Sequence, residues 1–464
     1  MIEFYYKNFK KNYNIKINKL IDDIEKLFFI DSIELIEDYK ICLDTKYRVK
    51  LSILKWNKIN QLYFTLEVNK DNLSNVLRKF FSKKKSIKKE FTFVDTFAGC
   101  GGLSLGVEKA GFNPTFVNEI EARYLETYYF NRDIKLDNYF CDDIKKLVNN
   151  FEQYKENIQD VDLFIGGPPC QGFSMANRQR LIDDPRNELY KYYLKLLELS
   201  NPKYFIMENV KGMMNKSDEI KNDFIAQLGD RYSIEIFLLN AKDFGLAQNR
   251  ERVFVIGSRI EEVPAIKIKE DILKEKIGKK YFKLNDVLLG LPALESKRIK
   301  NATKLENDKI GFKYRKYKYQ NTEYEAYINE QNNNYLFNHT NRYNNDRDIE
   351  IFATLPQGNN SLHKSIEHIM PYKSRNHMFK DKYFKLDENK VCKTITAHMK
   401  LDCNMYIHPT QPRGLSPREA ARVQTFPDDY VFMGSNNTWY AQIGNAVPVK
   451  LAEIIARNIY KHLD

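Results

Sequence analysis

The stretch FTFVDTFAGCGGLSLGVEKAG, residues 91–111, carries the strongest fold signal in this 464-residue chain. Its first residues form a short apolar run that predicts a buried strand, and its last residues have the composition of a helix. The glycines between them let the backbone approach a ligand closely, and the N-terminus of a helix offers free N–H groups. The stretch therefore predicts a strand, a ligand-binding turn and a helix.

The same alternation of strand, turn and helix continues along the chain. VDLFIGG (161–167), KYFIMENV (203–210) and RVFVIGS (252–258) have the apolar composition of buried parallel strands, and residues 188–199 have that of a helix. Such alternation predicts a doubly wound α/β sheet, which binds its ligands at the carboxyl ends of the strands.

Composition divides the chain into three parts. Residues 1–89 contain strand-like runs within 47–68 and form an N-terminal extension to which we assign no role. Residues 90–260, completed by residues 440–464, carry the alternation of strands and helices. Residues 261–439 do not show this alternation of strands and helices and are rich in Lys, Asn and Tyr, so we expect a smaller, loop-rich domain there.

The chain has a net charge of +12, from 74 Lys and Arg against 62 Asp and Glu. A surplus of this size suits a polyanionic partner such as nucleic acid. The chain is also rich in Lys, Asn, Ile and Tyr, the bias of an AT-rich genome, and that bias raises the lysine content without any binding role. Charge alone therefore leaves nucleic-acid binding open.

Other classes of protein are disfavoured by what the sequence lacks. No apolar run approaches the roughly 18–20 residues that span a bilayer, and the first residues lack the apolar core of a signal peptide. We therefore expect no membrane partner and a cytoplasmic, nucleoid-associated protein. None of the six cysteines has CxxC spacing, so we expect no metal site.

The segment GGPPCQGFS, residues 166–174, follows a predicted strand and so lies at the carboxyl edge of the predicted sheet. Cys170 comes directly after two prolines, which hold it stiffly in an exposed loop, and its thiolate would be a nucleophile. Structural cysteines are usually buried among apolar residues, a description that suits Cys42 and Cys403 better.

Charged side chains follow other strands at the same edge. Glu119 lies about 20 residues after the glycine turn, where an acid can hold ribose hydroxyls. Glu208 lies near the end of its strand and is either a general acid or a helix cap. Arg250 and Arg252 share a face if their segment is extended, and the alternative is a surface salt-bridge pair.

Eight sequence blocks, in this order, resemble the DNA (cytosine-5) methyltransferase family of the bacterial restriction–modification type. They are DTFAGCGG (95–102), VNEIE (117–121), DDI (142–144), GGPPCQGFS (166–174), ENV (208–210), QNRERVFVIG (248–257), RGLSPREAARVQTFPD (413–428) and QIGNAVPV (442–449). The resemblance implies a Rossmann-like S-adenosylmethionine-dependent methyltransferase sheet with a target-recognition domain at residues 261–439.

The resemblance also implies roles for the catalytic residues. Cys170 matches the nucleophile that adds to carbon 6 of a flipped-out cytosine in duplex DNA, which activates carbon 5 toward the methyl group. Glu208 matches the acid that donates to ring nitrogen 3, and we predict that burial raises its pKa. Arg252 matches the residue that contacts the base carbonyl and orients Glu208, and Arg250 supports the loop.

The implied cofactor is S-adenosyl-L-methionine, with Phe97 stacking on its adenine and Glu119 binding its ribose. The cofactor-binding residues implied are Phe97, Gly99, Gly101, Gly102, Glu119, Ile120, Asp143, Ile144, Pro168, Leu189, Asn445 and Val447. The sequence departs from the family pattern at Asp142, where Gly is common, and at Ala247, where Pro is usual. Neither position carries a catalytic role.

Contacts to DNA are implied at two places. One is the loop after the nucleophile, with Gln171, Ser174, Arg178 and Arg180, and the other is the KTIT segment, with Lys393, Thr394 and Thr396. Basic residues in such loops bind phosphates more often than they read bases. Residues Arg418, Glu419, Arg422 and Gln424 are expected to tie the target-recognition domain to the catalytic one.

Two alternative functions remain open, an RNA (transfer RNA) cytosine-5 methyltransferase and a catalytically inactive DNA-binding regulator. A methyltransferase acting on the adenine amino group needs an aromatic residue after its Pro-Pro pair, where this chain has Cys170. We expect a monomer that serves a restriction–modification system, with a cognate endonuclease that forms no stable complex with it. No general code links residues 261–439 to a recognition sequence.

Overall fold

A computed structural model describes residues 91–463 and five strands that precede them. Within 91–463 it leaves out residues 133, 135–137, 170–188, 279–280, 301–308, 330–334 and 372–380. The strands are β1 Ile2–Lys7, β2 Ile33–Ile36, β3 Lys40–Leu43, β4 Val49–Trp56, β5 Gln61–Val68, β6 Phe91–Thr96, β7 Phe112–Asn118, β8 Tyr139–Phe140, β9 Leu163–Gly166, β10 Tyr204–Val210, β11 Tyr232–Asn240, β12 Gln248–Asn249, β13 Glu251–Arg259, β14 Gly311–Lys316, β15 Tyr335–Thr340 and β16 Cys392–Lys393.

From β6 to β11, helices separate each strand from the next, as the sequence predicts. The helices are α1 Gly102–Ala110, α2 Ala122–Phe130, α3 Ile144–Asn149, α4 Phe151–Ile158, α5 Leu189–Ser200, α6 Ser217–Leu228, α7 Ala265–Lys274, α8 Leu284–Leu288, α9 Glu323–Ile328, α10 Asp346–Thr354, α11 Pro417–Val423, α12 Asn436–Asn445 and α13 Val449–Tyr460. No helix in the described part of the chain is both long and apolar enough to cross a membrane.

A seven-stranded sheet with the order β11-β13-β10-β9-β6-β7-β8 forms the centre of the protein. Strands β10, β9, β6, β7 and β8 pair in parallel, which confirms the predicted α/β class. The prediction that RVFVIGS is a parallel strand is wrong, because β13 runs antiparallel to both β10 and β11. Only ten residues connect β11 to β13, too few for the crossover that parallel pairing requires.

Two apolar cores cover the two faces of this sheet. Alternate residues of β9 enter them, with Leu163 and Ile165 in one core and Phe164 in the other. Helices α1, α7 and α13 complete the first core, and α3 to α6 complete the second. Burial on both faces is why these strands read as continuous apolar runs. Helix α13 thus returns to the first strands, as expected.

The residues before β6 contain a separate five-stranded antiparallel sheet with the order β1-β5-β4-β3-β2. Its strands β4 and β5 confirm the strand-like runs predicted in this region. In its sequence, β5 alternates apolar residues with Gln61, Tyr63, Thr65 and Glu67, the two-residue period typical of a strand.

A third apolar core lies beneath the segments that follow α7. Helices α8, α9, α11 and α12 contribute to it, together with Ile395 and Met399. Two short sheets, β14 with β15 and β12 with β16, complete this region. Among the described residues, the stretch between α7 and α11 is dominated by loops and short elements, as its composition predicts.

Charged and amide side chains of the RGLSPREAARVQ block are buried in this region. We expected four of them to connect the target-recognition domain to the catalytic domain, and for three of the four this prediction is wrong. Arg418 donates to the carbonyls of Phe337, Pro427 and Tyr430. Arg422 pairs with Asp428, and Glu419 pairs with Arg413, so both partners again lie within residues 261–439. Of the four, Gln424 alone contacts the catalytic domain, through hydrogen bonds to Gln248 and to the carbonyls of Ile443 and Ala446.

Candidate active site

The turn between β6 and α1 has an unusual backbone. Phe97, Gly99 and Gly101 all have positive φ angles, of 55°, 57° and 84°. Glycine adopts this left-handed conformation freely, whereas for Phe97 it costs on the order of 1 kcal/mol. Such strain is typical of functional sites, and here it shapes a turn that ends at the N-terminus of α1.

Glu119 lies directly after β7 and faces this turn. Its Oε2 accepts a hydrogen bond from the Gly99 N–H at 2.7 Å, and its Oε1 accepts one from the Glu121 N–H at 2.8 Å. The side chain is buried, and that burial raises its pKa. A carboxylate has about four acceptor positions, so two remain for hydroxyl groups.

The groups around this turn fit S-adenosylmethionine. No side chain caps the N-terminus of α1, whose free N–H groups suit a carboxylate. No atom lies within 4 Å of the position that a Cβ on Gly99 would take, so the turn borders open space. The Ile120 side chain is 62% exposed beside Glu119, an apolar surface that an aromatic base can cover.

The structure brings some of the other expected cofactor residues to the same edge. The carbonyl of Val447 would lie 2.7 Å from a Cβ on Gly102, so the QIGNAVPV block packs against the turn. Asp143 caps α3 by accepting from the Lys145 N–H at 2.9 Å, and Ile144 is buried. Pro168 is buried, Leu189 begins α5 half-buried, and Asn445 ends α12 exposed.

Glu208 and Arg252 form an ion pair at the carboxyl end of β10. The Nε atom of Arg252 lies 2.9 Å from Oε1 of Glu208. Burial raises the pKa of Glu208, while the two guanidinium groups of Arg252 and Arg250 oppose this shift. The predicted direction of the pKa shift is confirmed. A carboxyl group with a raised pKa keeps its proton to higher pH than an ordinary glutamate does, and beside a fixed arginine it can act as a general acid.

Arg250 makes its hydrogen bonds to backbone carbonyls. Its guanidinium donates to the Ile395 carbonyl at 2.6 Å and to the carbonyls of Gly444 and Ala446 at 3.2 and 2.9 Å. The residue is fully buried, and this burial lowers its pKa. Arg250 therefore connects β13 to two distant segments, which agrees with the supporting role expected for it.

The segment that leads to the expected nucleophile packs against Glu208. A Cβ on Gly167 would lie 3.3 Å from Oε2 of Glu208, and the Asn209 amide donates to the Pro168 carbonyl at 3.0 Å. Cys170 itself, with Gln171, Ser174, Arg178 and Arg180, lies outside the described residues.

Three described cysteines are poor nucleophiles. Burial raises the pKa of the Cys100 and Cys392 thiols to about 12 and that of the Cys403 thiol to about 11. A thiol with such a pKa is protonated at neutral pH and therefore inert. Among the residues that the structure describes, no group of three or more His, Cys, Asp or Glu side chains is arranged to hold a metal ion.

The KTIT segment packs against the QNRER segment through the β12–β16 pairing. The Thr394 hydroxyl donates to the Asn249 carbonyl at 2.6 Å, and the Thr396 hydroxyl lies 3.0 Å from the Tyr406 hydroxyl. The Lys393 ammonium lies 3.2 Å from a carboxylate oxygen of Asp381. All three side chains thus have partners within the protein.

Sequence reasoning missed the residues that hold these segments in place. Asn209 lies in the ENV block without an assigned role, and its position directly after Glu208 was the available signal. Gln248 accepts from the Ile395 N–H at 2.9 Å and donates to Gln424 at 2.8 Å. Partners 147 and 176 residues away leave no trace in local sequence patterns.

Comparison with known proteins agrees with this geometry. The model of the family described as C-5 cytosine-specific DNA methylase matches residues 91–461. Type II methyltransferase M.DdeI of Desulfomicrobium norvegicum is 32% identical over 392 residues, which cover 79% of this chain and 88% of that protein. Type II methyltransferase M.FnuDI of Fusobacterium nucleatum is 34% identical over 375 residues, which cover 79% of this chain and 93% of that protein.

A solved structure shows the same architecture. An E. coli protein encoded within a prophage, and described as a DNA modification methyltransferase, superimposes with a TM-score of 0.62 at 27% identity, over 81% of this chain and 99% of that one. The family match covers most of the chain and includes the glycine turn, the Glu208–Arg252 pair and the QIGNAVPV block. The chain therefore belongs to the C-5 cytosine-specific DNA methylase family and is a DNA (cytosine-5) methyltransferase.

Proposed function

We propose that the enzyme transfers a methyl group from S-adenosyl-L-methionine to carbon 5 of a flipped-out cytosine in a specific duplex DNA sequence, through a covalent adduct of Cys170 with carbon 6. The observation that carries this proposal is the Glu208–Arg252 pair, whose side chains are only 13% and 15% exposed and which lies against the Gly167–Pro168 segment leading to Cys170. The segment before Cys170 follows β9, and Glu208 lies on the adjacent parallel strand β10, so a proton donor and a nucleophile there can act on one pyrimidine ring.

Cys170 attacks as a thiolate and forms a bond to carbon 6. The C5–C6 π electrons shift to form a C4–C5 double bond, and the former C4–N3 π pair takes up a proton from Glu208 at nitrogen 3. When carbon 5 takes the methyl group with its C4–C5 π pair, the C4–N3 double bond returns. A base then removes the carbon 5 proton, the C5–H electron pair re-forms the C5–C6 double bond, and the thiolate leaves with the C6–S pair. Nitrogen 3 then returns its proton to the Glu208 carboxylate.

Arg252 keeps the Glu208 carboxyl in the orientation that this proton transfer needs. Its contact with Oε1 leaves Oε2 on the side that faces Gly167, next to the nucleophile segment. A guanidinium also stabilises the carboxylate that remains after the proton has moved. Arg250 acts as a positioning residue, because its guanidinium is occupied by backbone carbonyls.

Residues of the glycine turn and the neighbouring strand ends bind the cofactor in this proposal. Glu119 accepts the ribose hydroxyls, Phe97 and Ile120 cover the adenine, and Asp143 and Ile144 face its edge. The N-terminus of α1, with Gly101 and Gly102, holds the methionine carboxylate. Bound S-adenosylmethionine supplies an electrophilic methyl group on a positively charged sulfur, which carbon 5 of the activated ring accepts.

The enzyme acts on double-stranded DNA as a cytoplasmic monomer of a restriction–modification system, with residues 90–260 and 440–464 as its catalytic domain. Residues 261–439 recognise the target sequence, with Lys393, Thr394 and Thr396 near the DNA. The loop with Gln171, Ser174, Arg178 and Arg180 clamps the phosphates around the flipped base. The Type II methyltransferases among its relatives support this setting.

Duplex DNA that contains 5-fluorocytosine tests the covalent mechanism. Fluorine cannot leave carbon 5 as a cation, so the expected result is a protein–DNA adduct that survives denaturation and maps to Cys170. Cys170→Ser should abolish adduct and methyl transfer but retain cofactor binding, while Cys403→Ala should retain all three. Methyl transfer by Cys170→Ser would overturn the mechanism.

Bisulfite sequencing of plasmid DNA from cells that express the enzyme tests the substrate assignment. We expect conversion-resistant cytosines at one recurring sequence, which also reports the recognition site. The same enzyme assayed on transfer RNA should transfer no tritiated methyl group. Transfer to RNA with unmodified plasmid would establish the RNA alternative instead.

A further inference from the structure

We propose that Arg132 is a positioning residue for the cofactor, which acts by fixing the peptide groups of the glycine turn. Arg132 follows α2 and is buried, with 6% of its surface exposed. Its Nη2 donates to the Gly101 carbonyl at 3.0 Å, and its Nη1 donates to the Tyr430 hydroxyl at 2.8 Å. The Tyr430 hydroxyl in turn donates to the Cys100 carbonyl. Two successive carbonyls of the turn are thus held from one side.

The orientation of these carbonyls determines what the turn presents on its other side. In a trans peptide the C=O and the N–H point in opposite directions, and no cis peptide occurs in the described residues. Fixing the Gly101 carbonyl on Arg132 therefore aims the Gly102 N–H away from Arg132. Gly102 is the first residue of α1, whose N-terminus lacks a side-chain cap. Arg132 thereby orients a free donor at the cofactor site.

Steric packing reinforces this arrangement. A Cβ on Gly101 would lie 2.7 Å from Nη1 and 2.8 Å from Nη2 of Arg132, so the turn and the guanidinium are in direct contact. The guanidinium carbon also lies 3.8 Å from the centre of the Tyr128 ring, within the range of a cation–π contact. Glu108 of α1 compensates the buried charge, with its Oε1 2.5 Å from Nε of Arg132.

Further bonds join the same helix end to the segment that carries Tyr430. The Asn131 side chain donates to the Val431 carbonyl at 2.8 Å and accepts from the Val431 N–H at 2.9 Å. The Thr127 hydroxyl accepts from the Met433 N–H at 2.8 Å. Arg132 therefore lies where α2, the glycine turn and residues 430–433 meet, and it holds the turn in register with both.

Arg132→Met tests this role, because methionine retains the apolar stem and removes every donor. Since this role presupposes the proposed function, cofactor binding by the wild-type enzyme is measured first by titration calorimetry. We expect the Kd for S-adenosylmethionine to rise at least about tenfold, the effect of losing buried hydrogen bonds to the turn. The KM for DNA and the kcat at saturating cofactor should stay within about twofold of wild type.

Two further variants separate positioning from general destabilisation. Tyr430→Phe removes the hydroxyl that donates to the Cys100 carbonyl and accepts from Arg132. It should raise the Kd for the cofactor, without adding fully to Arg132→Met because the two side chains act together. The matched control is Arg413→Met, since Arg413 is also buried and paired with a glutamate, Glu419, but contacts no residue of the turn. It should lower the melting temperature and leave the Kd for the cofactor unchanged.

Different results would reject the proposed function and the role of Arg132. Absence of cofactor binding by the wild-type enzyme would reject the proposed function. If the wild-type enzyme binds the cofactor and folded Arg132→Met binds it with the same Kd, the role of Arg132 is rejected and the proposed function is not. The same holds if Arg413→Met, at an equal loss of stability, raises the Kd as much as Arg132→Met does. If Arg132→Met does not fold, an unchanged Kd in Tyr430→Phe rejects that role and a raised Kd supports it.

Discussion

Arg252 reaches Glu208 from the neighbouring antiparallel strand, with 2.9 Å between its Nε atom and Oε1 of the carboxyl group. In the register of β10 and β13, Val210 lies opposite Arg252 and Glu208 lies opposite Phe254, so the two charged residues are diagonal neighbours. Because β13 runs antiparallel to β10, it begins where β10 ends, and this places the QNRER segment at the carboxyl edge of the sheet.

Glu208→Gln should lower kcat by about 10² to 10⁴, because the amide can accept and donate hydrogen bonds but cannot deliver a proton. Burial raises the pKa of Glu208 from its ordinary value of 4.5, so the wild-type rate should fall as the pH rises through this raised pKa. A pH–rate profile of the variant should lack this fall in rate, the alkaline limb of the profile. The surface variant Glu251→Gln, whose partner is Lys211, should keep it.

Arg252→Met should move the same limb to higher pH. The arginine charge opposes the rise in the pKa of Glu208, so its removal raises that pKa further. The variant should also lose about 10²-fold in kcat, because the carboxyl group loses its fixed orientation. An alkaline limb that stays in place or moves to lower pH would show that Arg252 does not act on Glu208.

Asn209→Leu should slow adduct formation without affecting cofactor binding. The Asn209 amide is the donor to the buried Pro168 carbonyl, at 3.0 Å, and leucine leaves that carbonyl unsatisfied at a cost of about 1–3 kcal/mol. The Pro168–Pro169 segment then holds Cys170 less firmly. The rate of trapping on 5-fluorocytosine DNA measures this effect, and an unchanged trapping rate would contradict it.

Gly444→Ala should raise the KM for DNA and lower the melting temperature. In an unconstrained helix this change would stabilise by roughly 1 kcal/mol. Here a Cβ would lie 2.1 Å from the Thr396 carbonyl carbon and 2.2 Å from the Ala397 nitrogen, so the backbone after the KTIT segment must move. A stabilised variant with normal kinetics would show that this close approach is unimportant.

Asp95→Asn should flatten the pH dependence of stability between pH 4 and 8. Burial raises the pKa of Asp95 from 3.8 to about 8, although the hydrogen bond from the Ser104 hydroxyl lowers it, so the folded state favours the protonated acid. Its contribution to stability is complete below pH 3.8 and is lost as the pH rises toward 8. Urea unfolding at pH 5 and pH 8 measures this loss, which should be smaller in the variant than in wild type.

The positions of the glycine turn and of several strands of the central sheet could be predicted from local patterns. Apolar runs predicted β6, β9, β10 and β13, and the order of eight motifs pointed to the family. These features depend on residues that are adjacent in the chain, so short windows of sequence contain them. The raised pKa of Glu208 was instead predicted from burial together with the proton-donor role that the family resemblance implies.

The direction of β13 and the hydrogen-bond partners of the buried arginines were decided only by the tertiary structure. The antiparallel course of β13, which delivers Arg252 to Glu208, follows from the short connection after β11 and from the space beside β10. Arg250 meets Ile395 across 145 residues, and Arg132 meets Tyr430 across 298. Such contacts arise because buried donors must find acceptors among whichever carbonyls the packing brings near, and no local pattern encodes that choice.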